Sequence, residues 1–235
     1  MSASSVNNRA KIKKITVIAL FIALAYIAMF VFRIKVSFLT FDMKDAIVTL
    51  AGLLFGPVNA LIISFSVALL EGISVSETGV IGFVMNFLST SAFSVTAAVV
   101  YKYKKNIRGA VVGLVGAVLS MTAIMLVLNL LLTPLYIEGA TTADVAKMIP
   151  TLLLPFNFTK ALLNAAIVLI VYKPVSKVMK RTGIVNDVIK EKSTDNNRSG
   201  RAAFSLTVSL IGATIVVICL VVFFVVLEGN FSLHG

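Results

Sequence analysis

Six apolar stretches, over about residues 15–32, 46–70, 80–100, 109–135, 149–172 and 204–227, each reach membrane-spanning length. A helix rises ~1.5 Å per residue and a hydrocarbon core is ~30 Å thick, so about 20 apolar residues suffice to cross it. A chain that is 59% hydrophobic and 13% charged therefore has the bilayer as its solvent. The fold class expected is an all-α membrane protein. The basic start, residues 1–14, precedes a run too long and too aliphatic for a signal-peptide core, so 15–32 reads as a retained first helix.

Charge fixes how the second stretch must be divided. Gly56-Pro57 interrupts 46–70 at its centre, where proline removes a backbone donor and clashes with the preceding turn. With the basic N-terminus inside, a single span there would leave Glu71 and Glu77 in the cytoplasm and Lys102, Lys104, Lys105 and Arg108 outside, against the positive-inside rule. Two short helices turning at Gly56-Pro57 restore the rule to the end of the chain. Residues 1–178 then form a six-helix bundle, 179–203 a polar cytoplasmic linker, 204–227 one additional transmembrane helix without an ionisable group, and 228–235 a short extracytoplasmic tail. The added helix has the composition of a lipid-facing anchor or packing helix.

Composition also removes function classes. The net charge of +11 resides in short clusters between apolar runs, the pattern of membrane topology rather than of nucleic-acid binding. Cys219 is the sole cysteine and His234 the sole histidine, which excludes a disulfide scaffold and a Cys/His metal site. No phosphate-binding Gly-x4-Gly-Lys-Ser/Thr loop, Ser/His/Asp set or HExxH motif occurs, so neither catalysis nor ATP hydrolysis is expected of this chain.

The polar residues at membrane depth fall in one leaflet under this topology. Asp42 and Asp45 open the second helix, Glu71 ends the third, Asn86 lies in the fourth, Asn129 near the outer end of the fifth, and Asn157 and Lys160 begin the sixth. Asn157, Lys160 and Asn164 share a helix face through i+3 and i+4 spacing, interleaved with Ala161 and Ala165. An ionised group inside a membrane segment marks a substrate path by default. Each has a plainer alternative. Lys160 lies about 7 Å below the start of its helix and can snorkel to the headgroups. Asp42 and Asp45 have the spacing of an N-cap with an acid at N3. Asn86 and Asn129 are equally compatible with hydrogen bonds between helices. In the first helix Ala19 and Ala23, four residues apart, allow close approach by another helix.

Five segments carry a resemblance: Phe41-Asp42-Met43-Lys44-Asp45; Leu54-Phe55-Gly56-Pro57; Met85-Asn86-Phe87; Leu128-Asn129-Leu130 on to Pro134-Leu135-Tyr136; and Pro155-Phe156-Asn157-Phe158-Thr159-Lys160. In this order they resemble the riboflavin-binding S components (RibU type) of energy-coupling factor (ECF) transporters, over about residues 12–178. The sequence departs from that pattern at Ser64, Val67 and Ala68, at Ala46-Ile47, and in its added helix.

The resemblance implies a six-helix protein of the bacterial cell membrane that captures a vitamin from outside, beneath a lid formed by about residues 33–41. It further implies docking, partly through Ala19 and Ala23, on a transmembrane T component energised by two ATPase subunits. Carried over by position, Asp42, Asn129 and Lys160 are expected to hydrogen-bond riboflavin, or FMN. Asn157, Asn86 and Phe41 complete the expected substrate-binding set, with Phe38 and Phe156 as further apolar surface; no cofactor is implied. An S component for another vitamin keeps the same architecture, and a stand-alone secondary transporter using Lys160 with Asp42 or Glu71 is the alternative from a different class.

Overall fold

The computed structural model describes residues 3–76, 78–181, 198–228 and 230–231. Glu77, most of the expected linker (182–197) and the end of the tail, with His234, lie outside the described residues. Eight α-helices are described: α1 (Ala3–Val31), α2 (Lys44–Phe55), α3 (Pro57–Ser74), α4 (Gly79–Tyr103), α5 (Ile107–Leu132), α6 (Thr142–Met148), α7 (Leu154–Arg181) and α8 (Arg198–Val221). Six spans among the described residues are long and apolar enough to cross a membrane. Helix α2 is not among them. Its 12 residues cover only about 18 Å.

The break between α2 and α3 falls at Gly56-Pro57. Gly56 has φ 94°, a left-handed conformation that a side chain would strain, and Pro57 opens α3 at a position where its missing N–H costs nothing. The helices around this break approach closely. A Cβ on Gly52 would lie 2.9 Å from that of Ala60 and 3.2 Å from that of Ala98, so small residues let α2, α3 and α4 meet nearly backbone to backbone. Helix α4 packs on α5, α3 and α2, α5 on α7, and α7 on α8. Asn106 caps α5 by accepting from the Gly109 N–H at 2.8 Å, and a Thr141/Asp144 capping box starts α6.

Two features differ from the sequence expectation. The lid segment is a β-hairpin, β1 (Arg33–Val36) and β2 (Leu39–Asp42), turning through Ser37 at φ 53°. The chain after α8 adds a third strand, β3 (Asn230–Phe231), antiparallel to β1, giving the order β2-β1-β3. Also, α7 does not start the fifth of these spans: α6 and a π-helical turn (Ile149–Leu153) with Pro150 lead into it, so Lys160 lies deeper than the apolar run suggested.

The core has two parts. One fills the bundle between α1–α5 and α7. The other lies under the hairpin, where Ile34, Val36, Leu39 and Phe41 meet α6, α7 and α8 through Val145, Phe156, Cys219 and Phe223. Burial of Cys219 on α8 and of Phe223 just after it makes this segment a packing element as well as an apolar span.

Candidate functional site

The hairpin roofs a cavity of about 160 Å³ enclosed by the ends of α3, α4, α5 and α7. Strand parity decides which hairpin residues face it, because successive side chains point to opposite faces. Arg33 pairs with Asp42 and Lys35 with Thr40; these four line the cavity. Ile34 pairs with Phe41 and Val36 with Leu39; Ile34, Val36 and Phe41 serve the core beneath the hairpin, while Leu39 also borders the cavity. Phe41 therefore cannot share a wall with Asp42. It is fully buried against Phe223, with ring centroids 4.9 Å apart, and its expected place in the substrate-binding set is corrected by this parity.

Five buried ionisable groups cluster here, Asp42, Glu71 and Lys160 on the cavity wall and Lys44 and Asp45 behind it. Lys160 Nζ donates to the Thr40 carbonyl at 3.1 Å and to Asp42 Oδ2 at 3.3 Å. With 6% of its surface exposed, Lys160 does not snorkel outward. Lys44 Nζ donates to the same Asp42 oxygen at 3.1 Å and to Glu71 Oε2 at 2.6 Å. Asp45 Oδ1 accepts from the Thr90 hydroxyl at 2.6 Å. Burial by itself would raise the Asp42 carboxyl, but Lys160 and Lys44 beside it outweigh that and hold it below the usual carboxylate range. Its two cations keep it fixed.

Met43 occupies the cap position of α2 without a side-chain bond, and Asp42 Oδ1 accepts from the Lys44 N–H at 3.1 Å, so Asp42 satisfies one free donor at the helix start while the Asp45 carboxylate reaches Thr90. Asn164 does the corresponding work from α7: its carbonyl accepts from the Ala46 N–H at 2.9 Å, and its amide donates to the Asp42 and Lys160 carbonyls. This side chain locks the start of α2 to α7 and so sets the depth of Asp42 opposite Lys160.

Asp42, Asn86, Asn157 and Lys160 of the sequence-derived set line the cavity, with Phe38 and Phe156. Asn86 is half-buried and makes no hydrogen bond among the described residues. Asn157 donates to the Leu153 carbonyl at 2.7 Å, which leaves its amide oxygen available. Asn129 is not on the wall. Fully buried, it donates to the Met125 carbonyl and accepts from Thr133, whose hydroxyl lies 3.3 Å from that of Tyr136 on the wall. It supports the cavity through Tyr136.

Sequence reasoning missed Lys44 and its ion pair with Glu71, 27 positions apart, and the cavity-facing Arg33, Lys35, Ser89 and Tyr136. The local sequence held no signal for the first pair: one lysine between two aspartates already has an excess of negative charge, and only the fold brings Glu71 to Lys44.

On the far end of the bundle the basic clusters at 102–108 and 173–181 lie beyond the Tyr101–Tyr172 ring contact. Ala19 and Ala23 lie on the exposed face of α1.

Comparison with known proteins gives concordant results. The family model "ECF transporter, substrate-specific component" matches residues 13–172. Riboflavin transporter RibU of Staphylococcus aureus (strain TCH60) is 29% identical over 178 residues, 72% of this chain and 93% of that protein. Riboflavin transporter FmnP of Bacillus subtilis (strain 168) is 26% identical over 173 residues, 69% and 91% of the respective chains. The solved structure of the S component of a bacterial ECF transporter superposes with a TM-score of 0.59 at 28% identity, covering 74% of this chain and 99% of that one.

Proposed function

The chain belongs to the substrate-specific components of ECF transporters, and on that premise we propose that it captures riboflavin under the hairpin roof and delivers it inward once docked on a T component energised by two ATPase subunits. The observation that carries the ligand reading is the composition of the cavity wall. Phe38, Phe156 and Met125 offer flat and apolar surface, while Asn86, Asn157 and the Lys160–Asp42 pair cluster as donors and acceptors. An isoalloxazine ring system is a flat apolar body with one amide-like polar edge, and its ribityl chain carries hydroxyls that need both donors and acceptors. In this reading Lys160 donates to a flavin oxygen, Asp42 accepts from ribityl hydroxyls, and Asn86 and Asn157 pair with the polar edge; FMN is the second ligand to be compared. The relatives named for riboflavin support the choice of vitamin.

In this reading the protein sits in the bacterial cell membrane with its roofed end extracytoplasmic and its basic end cytoplasmic, an orientation that the distribution of lysine and arginine supports. Residues 1–178 act as the substrate-binding bundle, and the Ala19/Ala23 face of α1 meets the T component. Alanines there leave room for a helix to approach closely without displacing side chains.

Purified protein in detergent is expected to quench added riboflavin fluorescence stoichiometrically; unquenched flavin, with quenching or binding of a different vitamin, would sink the ligand assignment while leaving the family intact. Docking has its own test. Ala19→Trp with Ala23→Trp should leave riboflavin binding within about twofold and reduce co-purification with the T and ATPase subunits at least about tenfold, because two indoles prevent close helix packing. Undiminished complex formation would move docking to another face.

A further inference from the structure

The family match ends at residue 172, before α8 begins, so α8 and β3 play no part in the function derived so far. Their position is nevertheless specific. Helix α8 runs beside α7 and, one turn beyond its end, brings the fully buried Phe223 against two residues of the roofed end. Its ring lies 4.9 Å from that of Phe41 in a tilted contact and 5.6 Å from that of Phe156 edge-on. Phe41 belongs to the hairpin, on the face away from the cavity, and Phe156 to the cavity wall. The chain then turns through Glu228 at φ 51° and lays Asn230 and Phe231 opposite Lys35 and Ile34 of β1. The roof is thus held twice from α8: by a ring beneath β2 and by backbone pairing along β1.

The cavity volume gives this attachment a consequence. About 160 Å³ is roughly half of the ~300 Å³ at the small end of ligand sites. A three-ring ligand with a polyol chain needs the roof to move, and the hairpin cannot be displaced without disturbing its apolar face packed on Phe223 and its β1 edge paired with β3.

We propose that α8 and β3 form a strap on the cavity roof, with Phe223 as a positioning residue that acts through Phe41, and that this strap sets the rate at which substrate exchanges. The proposal rests on the reading of the cavity as the substrate site. It predicts a slower, more tightly governed exchange than the six-helix bundle would have if its hairpin were held only by α7.

The test uses the full-length protein in lipid nanodiscs and three variants. Phe223→Ala removes the ring, Phe223→Leu restores most of its volume, and Asn230→Pro with Phe231→Pro removes both strand donors. Backbone hydrogen exchange over residues 33–42, measured without ligand, is expected to accelerate at least about fivefold in Phe223→Ala and in the double-proline variant, less in Phe223→Leu, with α4 and α5 unchanged. Riboflavin dissociation measured by stopped flow should accelerate in the same order. Hairpin exchange within about twofold of the unmodified protein in the double-proline variant and in Phe223→Ala overturns the strap. Faster hairpin exchange with an unchanged dissociation rate overturns its control of the substrate. Should the unmodified protein bind no riboflavin, the ligand reading falls, and the exchange data by themselves uphold or overturn the strap.

Discussion

Lys44→Met is expected to destabilise the bundle by about 3–5 kcal/mol, the cost of leaving a buried charge without its partner. Lys44 is 1% exposed and bridges Asp42 and Glu71 at 3.1 and 2.6 Å. The two acids do not suffer equally. Asp42 keeps Lys160 at 3.3 Å, whereas Glu71 has no other ion pair among the described residues. The second substitution that relieves the first is therefore on α3, 27 positions away. Lys44→Met with Glu71→Gln should recover about half or more of the lost stability, because the orphaned charge is gone and the amide needs only a hydrogen bond. Reversible unfolding in mixed micelles measures both. A single variant within about 1 kcal/mol of the unmodified protein, or a double variant no more stable than the single, would remove Lys44 from its structural role.

Lys160→Ala should cost less stability than Lys44→Met and weaken riboflavin binding by tenfold or more, about 1.4 kcal/mol. The asymmetry follows from the geometry. Lys44 still donates to Asp42 at 3.1 Å when Lys160 is gone, and the Thr40 carbonyl loses a donor at the cavity edge where water can replace it. What the variant does lose is the cation facing the cavity. Equilibrium quenching titrations give the affinity, and thermal unfolding of the same preparation reports whether the fold survived. Unchanged affinity would assign Lys160 to holding the hairpin through Thr40 and Asp42. A collapse of stability matching that of Lys44→Met would mean that the two lysines are one indivisible unit.

These two lysines mark how much of the site could be read from residues alone. Lys160 was conspicuous, a cation inside an apolar helix, with Asn157 and Asn164 on its face by simple helical spacing. Lys44 was equally apolar in its surroundings, yet it sat inside Asp42-Met43-Lys44-Asp45, a stretch that also reads as a polar helix start. Nothing local distinguishes a solvated charge run from a buried one; the difference is Glu71, which α3 delivers. Phe41 and Asn129 teach the complementary lesson. Their residue types suit a flavin, but Phe41 is one strand position from Asp42 and so faces the other way, and Asn129 completes its hydrogen bonds with Met125 and Thr133 on its own helix and the turn after it. The hairpin itself was hidden because four-residue strands between two membrane helices carry too short an alternation to stand out from a loop.

The amino-acid sequence determined that this chain lives in a bilayer, that its second apolar run breaks at Gly56-Pro57, and which end of the bundle gathers the polar groups. Those outcomes depend on hydropathy, a proline and the placement of lysine and arginine, all of which act through solvent and are additive along the chain. It also carried enough of a family pattern to point to an S component. Only the tertiary structure decided which of the polar groups face the cavity, which neutralise one another, and that α8 reaches across to the roof. Such choices depend on the rotation and depth of each helix relative to its neighbours, and a shift of one residue in either replaces an ion pair with an orphaned charge.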